Sequence, residues 1–172
     1  MAGFRGSRAR DLWGSGYSDR GRPDRREEQP LLIYSDTSLV VSLYTIDAHS
    51  AEARRRMSSK PAVWLTPFNR IEFAHALERQ VFRTRIASGE AARAWRDFED
   101  DCVAAVWILQ NLPARIWETT IDLARRFGPT LGVRTLDSLH VACALELGAE
   151  RFWTFDERQE RLAQSAGLDT TG

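Results

Sequence analysis

Three short apolar runs and one bulky, aromatic, β-prone run punctuate the chain, and the stretches between them repeat their apolar residues at helical spacing. The runs are Leu31-Leu32-Ile33-Tyr34, Ala62-Val63-Trp64-Leu65, residues 106–109, and Arg151-Phe152-Trp153-Thr154-Phe155. An unbroken apolar run is what a strand covered on both faces requires, because neither side of it meets water. Residues 106–109 read either as a strand or as the end of the preceding helix. Short helices are predicted over residues 39–43 and 50–57, the second broken by Pro61. Thr66-Pro67 opens a helix to about residue 84, since proline suits the first turn. Gly89 begins a long helix through Ala91, Ala94, Trp95 and Phe98, and Pro113 restarts one with Ile116, Thr120, Leu123, Ala124 and Phe127 on one face. Gly128-Pro129 and Gly132 read as the loop after it. From Thr135 the chain turns apolar on every side through Leu139, Val141, Ala142, Cys143, Ala144 and Leu145, which marks a buried helix stopped at Gly148. A last helix covers residues 157–166. Strands alternating with helices predict a three-layer α/β fold with a mainly parallel sheet.

Composition sharpens this picture in a few places. A chain of 172 residues with 43% hydrophobic content can bury one core, so one domain is expected, over residues 31–168 with a short tail at 169–172. Residues 1–30 differ: Gly, Ser, Arg and Asp dominate, Phe4, Leu12, Trp13 and Tyr17 are isolated, and such a segment reads as a flexible extension. Its interspersed acids argue against a transit peptide or a basic nucleic-acid arm. Formal net charge is +0, with 24 basic and 24 acidic residues, so any attraction for a polyanion must be local. Lys60 is the only lysine, which makes nearly all the positive charge guanidinium. Cys102 and Cys143 stand far apart in apolar surroundings and read as core fillers of a reducing, cytoplasmic protein. No segment has the length and apolarity of a membrane span.

The candidate chemistry lies in four acids. Asp36 follows the first apolar run, Glu72 falls in the first turns of the helix after the second, Asp137 opens the buried helix, and Asp156 follows the fourth run. With parallel strands all four share one rim, outside the carboxyl ends of the strands, where open α/β sheets bind ligands. Carboxylates gathered there repel and raise one another's proton affinity unless a divalent cation holds them. Hard oxygen donors suit Mg²⁺ or Mn²⁺ rather than zinc, and such an ion keeps waters and takes phosphate oxygens, so phosphodiester hydrolysis is the predicted reaction. Ser38 and Thr154 add hydroxyls to the rim, to orient a water or to bond the backbone. Each acid also stands where a helix cap would: Glu72 is three residues after Asn69, and Asp36, Asp137 and Asp156 precede or open helices. Asp137 is the least comfortable as a cap alone, because its helix is apolar all round and an unpartnered charge there is costly. His140 and His75 read as packing residues rather than ligands or bases, His49 carries no signal, and the acidic cluster over residues 97–101 reads as a solvated surface.

Ser35-Asp36-Thr37-Ser38, Asn69-Arg70-Ile71-Glu72, Arg134-Thr135-Leu136-Asp137-Ser138-Leu139-His140-Val141-Ala142 and Thr154-Phe155-Asp156 together resemble the ordered acidic motifs of the PIN-domain family, in particular its VapC-type toxin branch. The resemblance covers residues 31–168; the extension before it departs from the pattern. It implies a three-layer α/β/α sandwich and metal-dependent endonucleolytic cleavage of RNA. It also implies Asp36, Glu72, Asp137 and Asp156 as the acidic set for Mg²⁺ or Mn²⁺, Thr154 matching a Thr or Ser found before the last acid, a cognate antitoxin that blocks the site, and a homodimer. In the mechanism expected from this set, water attacks the phosphodiester in line and leaves 5′-phosphate and 3′-hydroxyl ends. Asp36 and Asp137 would be the chief ligands, Glu72 and Asp156 would act through water or on a second ion, and Arg134 and Arg70 would touch phosphate. Replacing Asp137 by alanine is expected to leave the metal-free fold as stable or more so. Three rivals stand beside this reading. A haloacid-dehalogenase-type phosphatase needs a second acid two residues after Asp36, where Ser38 stands; a partner-binding module would not need the full acidic set; and a DNA flap nuclease would need gripping elements for which the chain lacks length.

Overall fold

Four strands of three residues each build one all-parallel sheet in the order β3-β2-β1-β4: β1 (Ile33–Ser35), β2 (Val63–Leu65), β3 (Trp107–Leu109) and β4 (Arg151–Trp153). Ile33 is in register with Val63 on one side and with Arg151 on the other. The computed structural model describes residues 31–172, so the expected N-terminal extension lies outside the described residues. Between the strands run α1 (Thr37–Tyr44), α2 (Ser50–Met57), α3 (Pro67–Phe82), α4 (Ser88–Val103), α5 (Ile116–Leu131) and α6 (Thr135–Leu147), with α7 (Glu157–Ser165) last.

Successive strand residues point to opposite faces, and both faces are covered. Ile33, Val63, Leu65 and Trp153 join a core with residues of α1 to α4, among them Leu39, Met57, Phe73 and Phe98. Tyr34 and Phe152 join a second core with α5 to α7, through Ile116, Leu139, Val141 and Leu162. Hence the three layers, and hence strands with no polar alternation. The chain lays down β1, β2 and β3 in one direction and then returns to place β4 on the far side of β1. The carboxyl ends of β1 and β4 therefore flank a topological switch point, the place where such a sheet opens a crevice.

The structure departs from the sequence-based expectation in several places. Helix α5 begins at Ile116 rather than Pro113 and runs through Gly128 and Pro129 before stopping at Gly132, whose φ of 60° is left-handed. Pro129 stands in the last turn, where its missing N–H leaves the Arg125 carbonyl without an intrahelical donor, and the Gly132 amide still reaches the Gly128 carbonyl at 2.9 Å. Strand β4 ends at Trp153 because the next groups are committed elsewhere: Thr154 bonds Asp36 and the Phe155 amide bonds Ser38. The acidic cluster is not all solvated. Asp97 and Asp101 are buried, four residues apart on the inner face of α4. Tyr44 donates to Asp101 Oδ2 at 2.7 Å and itself accepts from Trp107 Nε1 at 2.8 Å. Residues 169–172 lie along β4, where the Phe152 amide bonds the Asp169 carbonyl and Trp153 Nε1 bonds the Thr171 carbonyl. No helix among the described residues is long and apolar enough to cross a membrane.

Candidate active site

Asp36 stands one residue beyond β1 as the N-cap of α1, in extended conformation, with 2% of its surface exposed. Its Oδ1 accepts from the Ser38 amide (3.0 Å) and the Ser38 hydroxyl (2.6 Å), and its Oδ2 accepts from the Thr154 hydroxyl (3.0 Å). Those hydroxyls are in turn acceptors: Ser38 Oγ for the Phe155 amide and Thr154 Oγ1 for the Asp156 amide. One carboxylate thus caps a helix and clamps the turn after β4. Burial pushes its pKa up to about 6. The neighbouring Glu72 carboxylate adds to the rise, while His140 and the two hydroxyls oppose it.

Glu72 is brought to Asp36 by the start of α3. There Thr66 and Asn69 form a capping box, and Asn69 Nδ2 donates to the Ser35 carbonyl at 2.9 Å, pinning the helix to the end of β1. The capping role suspected for Glu72 thus belongs to Asn69, and Glu72, one turn further, faces the rim. Its Oε2 accepts from Thr37 Oγ1 at 2.6 Å and is hydrogen-bonded to His140 Nε2. Burial alone would raise its pKa, but the His140 bond and charge, the Thr37 hydroxyl and Arg79 outweigh it and hold the carboxyl below its ordinary range. His140 is wholly buried, and its Nδ1 lies 2.9 Å from the Tyr34 hydroxyl. The histidine is a satisfied core residue, as expected, and it also holds a rim acid.

The other two acids are placed differently. Asp137 opens α6, whose amino end lies at the carboxyl edge of the sheet because its other end feeds directly into β4. It is buried, and its Oδ2 accepts from the Arg134 amide at 2.9 Å in a capping box. Asp156 is exposed and caps α7 through the amides of Arg158 and Gln159. A cleft of about 370 Å³ is lined by Asp36, Glu72 and Asp156, together with Asp47, His49, Phe155, Gln159 and Arg79; Asp137 is not part of its lining. Arg70 is not part of that lining, and its guanidinium forks onto Glu99 at 2.7–3.2 Å. The cleft cation is instead Arg79, which sequence reading passed over although it follows Glu72 by seven residues, two turns along one face of α3. Gln159 and Asp47 were also missed; their only sequence signal is a place in the first turn of a helix or just before one.

The donor set fits a hydrated hard cation. Among the described residues no three or more His, Cys, Asp and Glu side chains are grouped closely enough to hold an ion as a cage. Magnesium does not ask for one, since it takes one or two carboxylates and keeps water elsewhere. Asp36 and Glu72, two carboxylates in one cleft with the first pushed toward protonation by burial and by the second, supply what such an ion would relieve.

A parallel sheet of this order with acids at its switch point defines a class, and residues 33–165 match the family model for the PIN domain. The chain belongs to the PIN-domain family. Within it the chain stands with the VapC-like ribonuclease toxins: it is 30% identical to Ribonuclease VapC46 of Mycobacterium tuberculosis over 141 residues, 79% of this chain and 93% of that protein. Solved structures share the fold. VapC20 of M. tuberculosis, described as a toxin cleaving the sarcin-ricin loop, superposes with a TM-score of 0.62 at 21% identity, covering 81% of this chain and 98% of its own. FitAcB of Neisseria gonorrhoeae gives 0.59 at 12% identity, covering 82% and 97%.

Proposed function

We propose that this chain is a Mg²⁺- or Mn²⁺-dependent endoribonuclease toxin that cleaves RNA phosphodiester bonds and is restrained by a cognate antitoxin. The observation that carries the reading is the pairing of Asp36 with Glu72 in one cleft at the switch point of the sheet, in a family of ribonucleases. Asp36 and Glu72 would hold the ion, with Asp156 at the mouth and Asp137 one helical turn before His140 as further carboxylates at the same end of the fold. A divalent ion bound there supplies positive charge for the phosphate oxygens and a more acidic water.

The chain's own residues do the rest. Ser38 and Thr154 fix the rotamer of Asp36, so its oxygens need not reorganise when substrate arrives. Thr37 and His140 hold Glu72 by Oε2, which aims Oε1 without a loss of side-chain entropy on binding. Arg79 brings a guanidinium to a cleft otherwise rich in carboxylates and suits a phosphate oxygen. The expected products carry 5′-phosphate and 3′-hydroxyl ends.

The test is direct. Purified protein with Mn²⁺ should cut a labelled structured RNA, EDTA should stop it, and Asp36→Asn should lose both cleavage and calorimetric Mn²⁺ binding. Intact RNA, or a variant that binds Mn²⁺ like the wild type, refutes the assignment. Co-purification with the product of a short neighbouring open reading frame, with cleavage suppressed in the complex, tests the antitoxin, and light scattering tests the homodimer.

A further inference from the structure

Beside the carboxylates, the cleft has a wall that their chemistry does not use. His49 is exposed just before α2, and its imidazole lies flat on the Phe155 ring, with centroids 4.6 Å apart and planes 11° from parallel. The stack is held from several sides. The His49 amide donates to Asp47 Oδ1 at 2.8 Å, Asp47 accepts from Ser42 at 2.8 Å, and the Phe155 amide is bound by Ser38, the residue that also holds Asp36. The Arg56 guanidinium lies over the same phenyl ring at 5.0 Å. His49 gives α2 no side-chain cap, so helix formation does not account for where its ring sits. In the same cleft, Gln159 is buried at 7% exposure, and its Oε1 has no hydrogen-bond partner. A buried amide oxygen without a partner is costly unless something else completes it.

We propose that the His49–Phe155 stack and Gln159 form a subsite for one unpaired nucleobase of single-stranded RNA, next to the scissile phosphate. An imidazole already stacked on one face offers its other face to a base at little ordering cost, since both rings are fixed beforehand. An unstacked base also exposes its Watson–Crick edge, and an exocyclic or ring N–H on that edge is the donor that Gln159 Oε1 lacks. Duplex RNA satisfies neither condition, because its bases remain stacked on one another and their edges are paired. The subsite rests on the nuclease reading for its neighbour, the scissile phosphate, but not for its binding chemistry.

Its test uses the full chain in EDTA, so that binding is read without cleavage. The probes are a fluorescein-labelled single-stranded octaribonucleotide of mixed sequence and an abasic octamer of the same charge, followed by anisotropy. His49→Ala is expected to weaken binding of the octaribonucleotide by about tenfold or more and to leave the abasic octamer unchanged. His49→Phe, which restores a flat ring, should recover most of the loss. Gln159→Leu should weaken the octaribonucleotide alone. The proposal is overturned if the wild type shows no preference for the based strand, if His49→Ala binds it like the wild type, or if the loss is equal for the abasic strand and therefore only electrostatic. Should the base-dependent pattern hold while Mn²⁺ supports no cleavage, the subsite stands and the nuclease reading falls; should cleavage occur with no role for His49, the nuclease reading stands and the subsite falls.

Discussion

His140 Nε2 is hydrogen-bonded to Glu72 Oε2, joining a side chain with no exposed surface to a carboxylate that lines the cleft. The other ring nitrogen, Nδ1, lies 2.9 Å from the Tyr34 hydroxyl, so the imidazole bridges Tyr34 and Glu72. His140→Phe keeps the ring volume and removes both bonds. It should lower stability by about 1–3 kcal/mol, for the buried Tyr34 hydroxyl it disturbs, and cut kcat at least tenfold with little change in KM because Glu72 is released. Urea denaturation and steady-state cleavage measure the two effects separately. Tyr34→Phe, one bond further from the cleft, should cost about 1 kcal/mol and affect cleavage less.

The buried Asp36 makes the metal-free fold pH-sensitive. Its pKa rises from the ordinary 3.8 to about 6 on folding, so between those values the folded chain binds more protons than the unfolded one. Stability from this group is therefore lost as pH rises through the window, and above it the deficit reaches about 3 kcal/mol. Asp36→Asn should melt higher than the wild type at pH 7.5 in EDTA, and the two melting curves should converge as pH is lowered toward 4. Added Mn²⁺ should raise the melting temperature of the wild type and not that of the variant. A variant that melts lower at neutral pH would contradict the account.

Thr154→Val tests the clamp between β1 and α7. The hydroxyl serves Asp36 Oδ2 and the Asp156 amide at once, and valine leaves both without it. A loss of about 1–3 kcal/mol is expected, and the stability deficit above pH 6 should deepen because a donor that stabilises the Asp36 anion has gone. The pH dependence of thermal melting reads this directly.

Asp137→Ala should destabilise rather than stabilise, contrary to the expectation drawn from carboxylate repulsion alone. Asp137 Oδ2 closes the capping box at the start of α6, and its removal should cost about 1 kcal/mol. Gly148→Ala serves as a control remote from chemistry. Nothing lies within 4 Å of an added Cβ, but the φ of 74° is left-handed, so a loss of about 1 kcal/mol with unchanged cleavage is expected.

The sequence alone determined the periodicity and its direct consequences. Unalternating apolar runs specified β1 and β2, a bulky aromatic run specified β4, residues 106–109 stayed open between strand and helix end, an all-round apolar helix specified α6, and the position of Asp36 and Asp156 just after strands placed them at the carboxyl edge. These are local properties: they depend on a residue's neighbours along the chain and on water. Partnership was decided only by the tertiary structure. Thr154 meets Asp36 across 118 residues of sequence, and His140 meets Glu72 across 68. The same packing turned Asp101 inward onto Tyr44, gave the capping box of α3 to Thr66 and Asn69, left Asp137 outside the cleft lining and brought Arg79 into it. Helical and strand spacing report which side of an element is apolar, whereas a hydrogen bond or a shared cleft is set by how the elements pack across the sheet, to within a few tenths of an ångström.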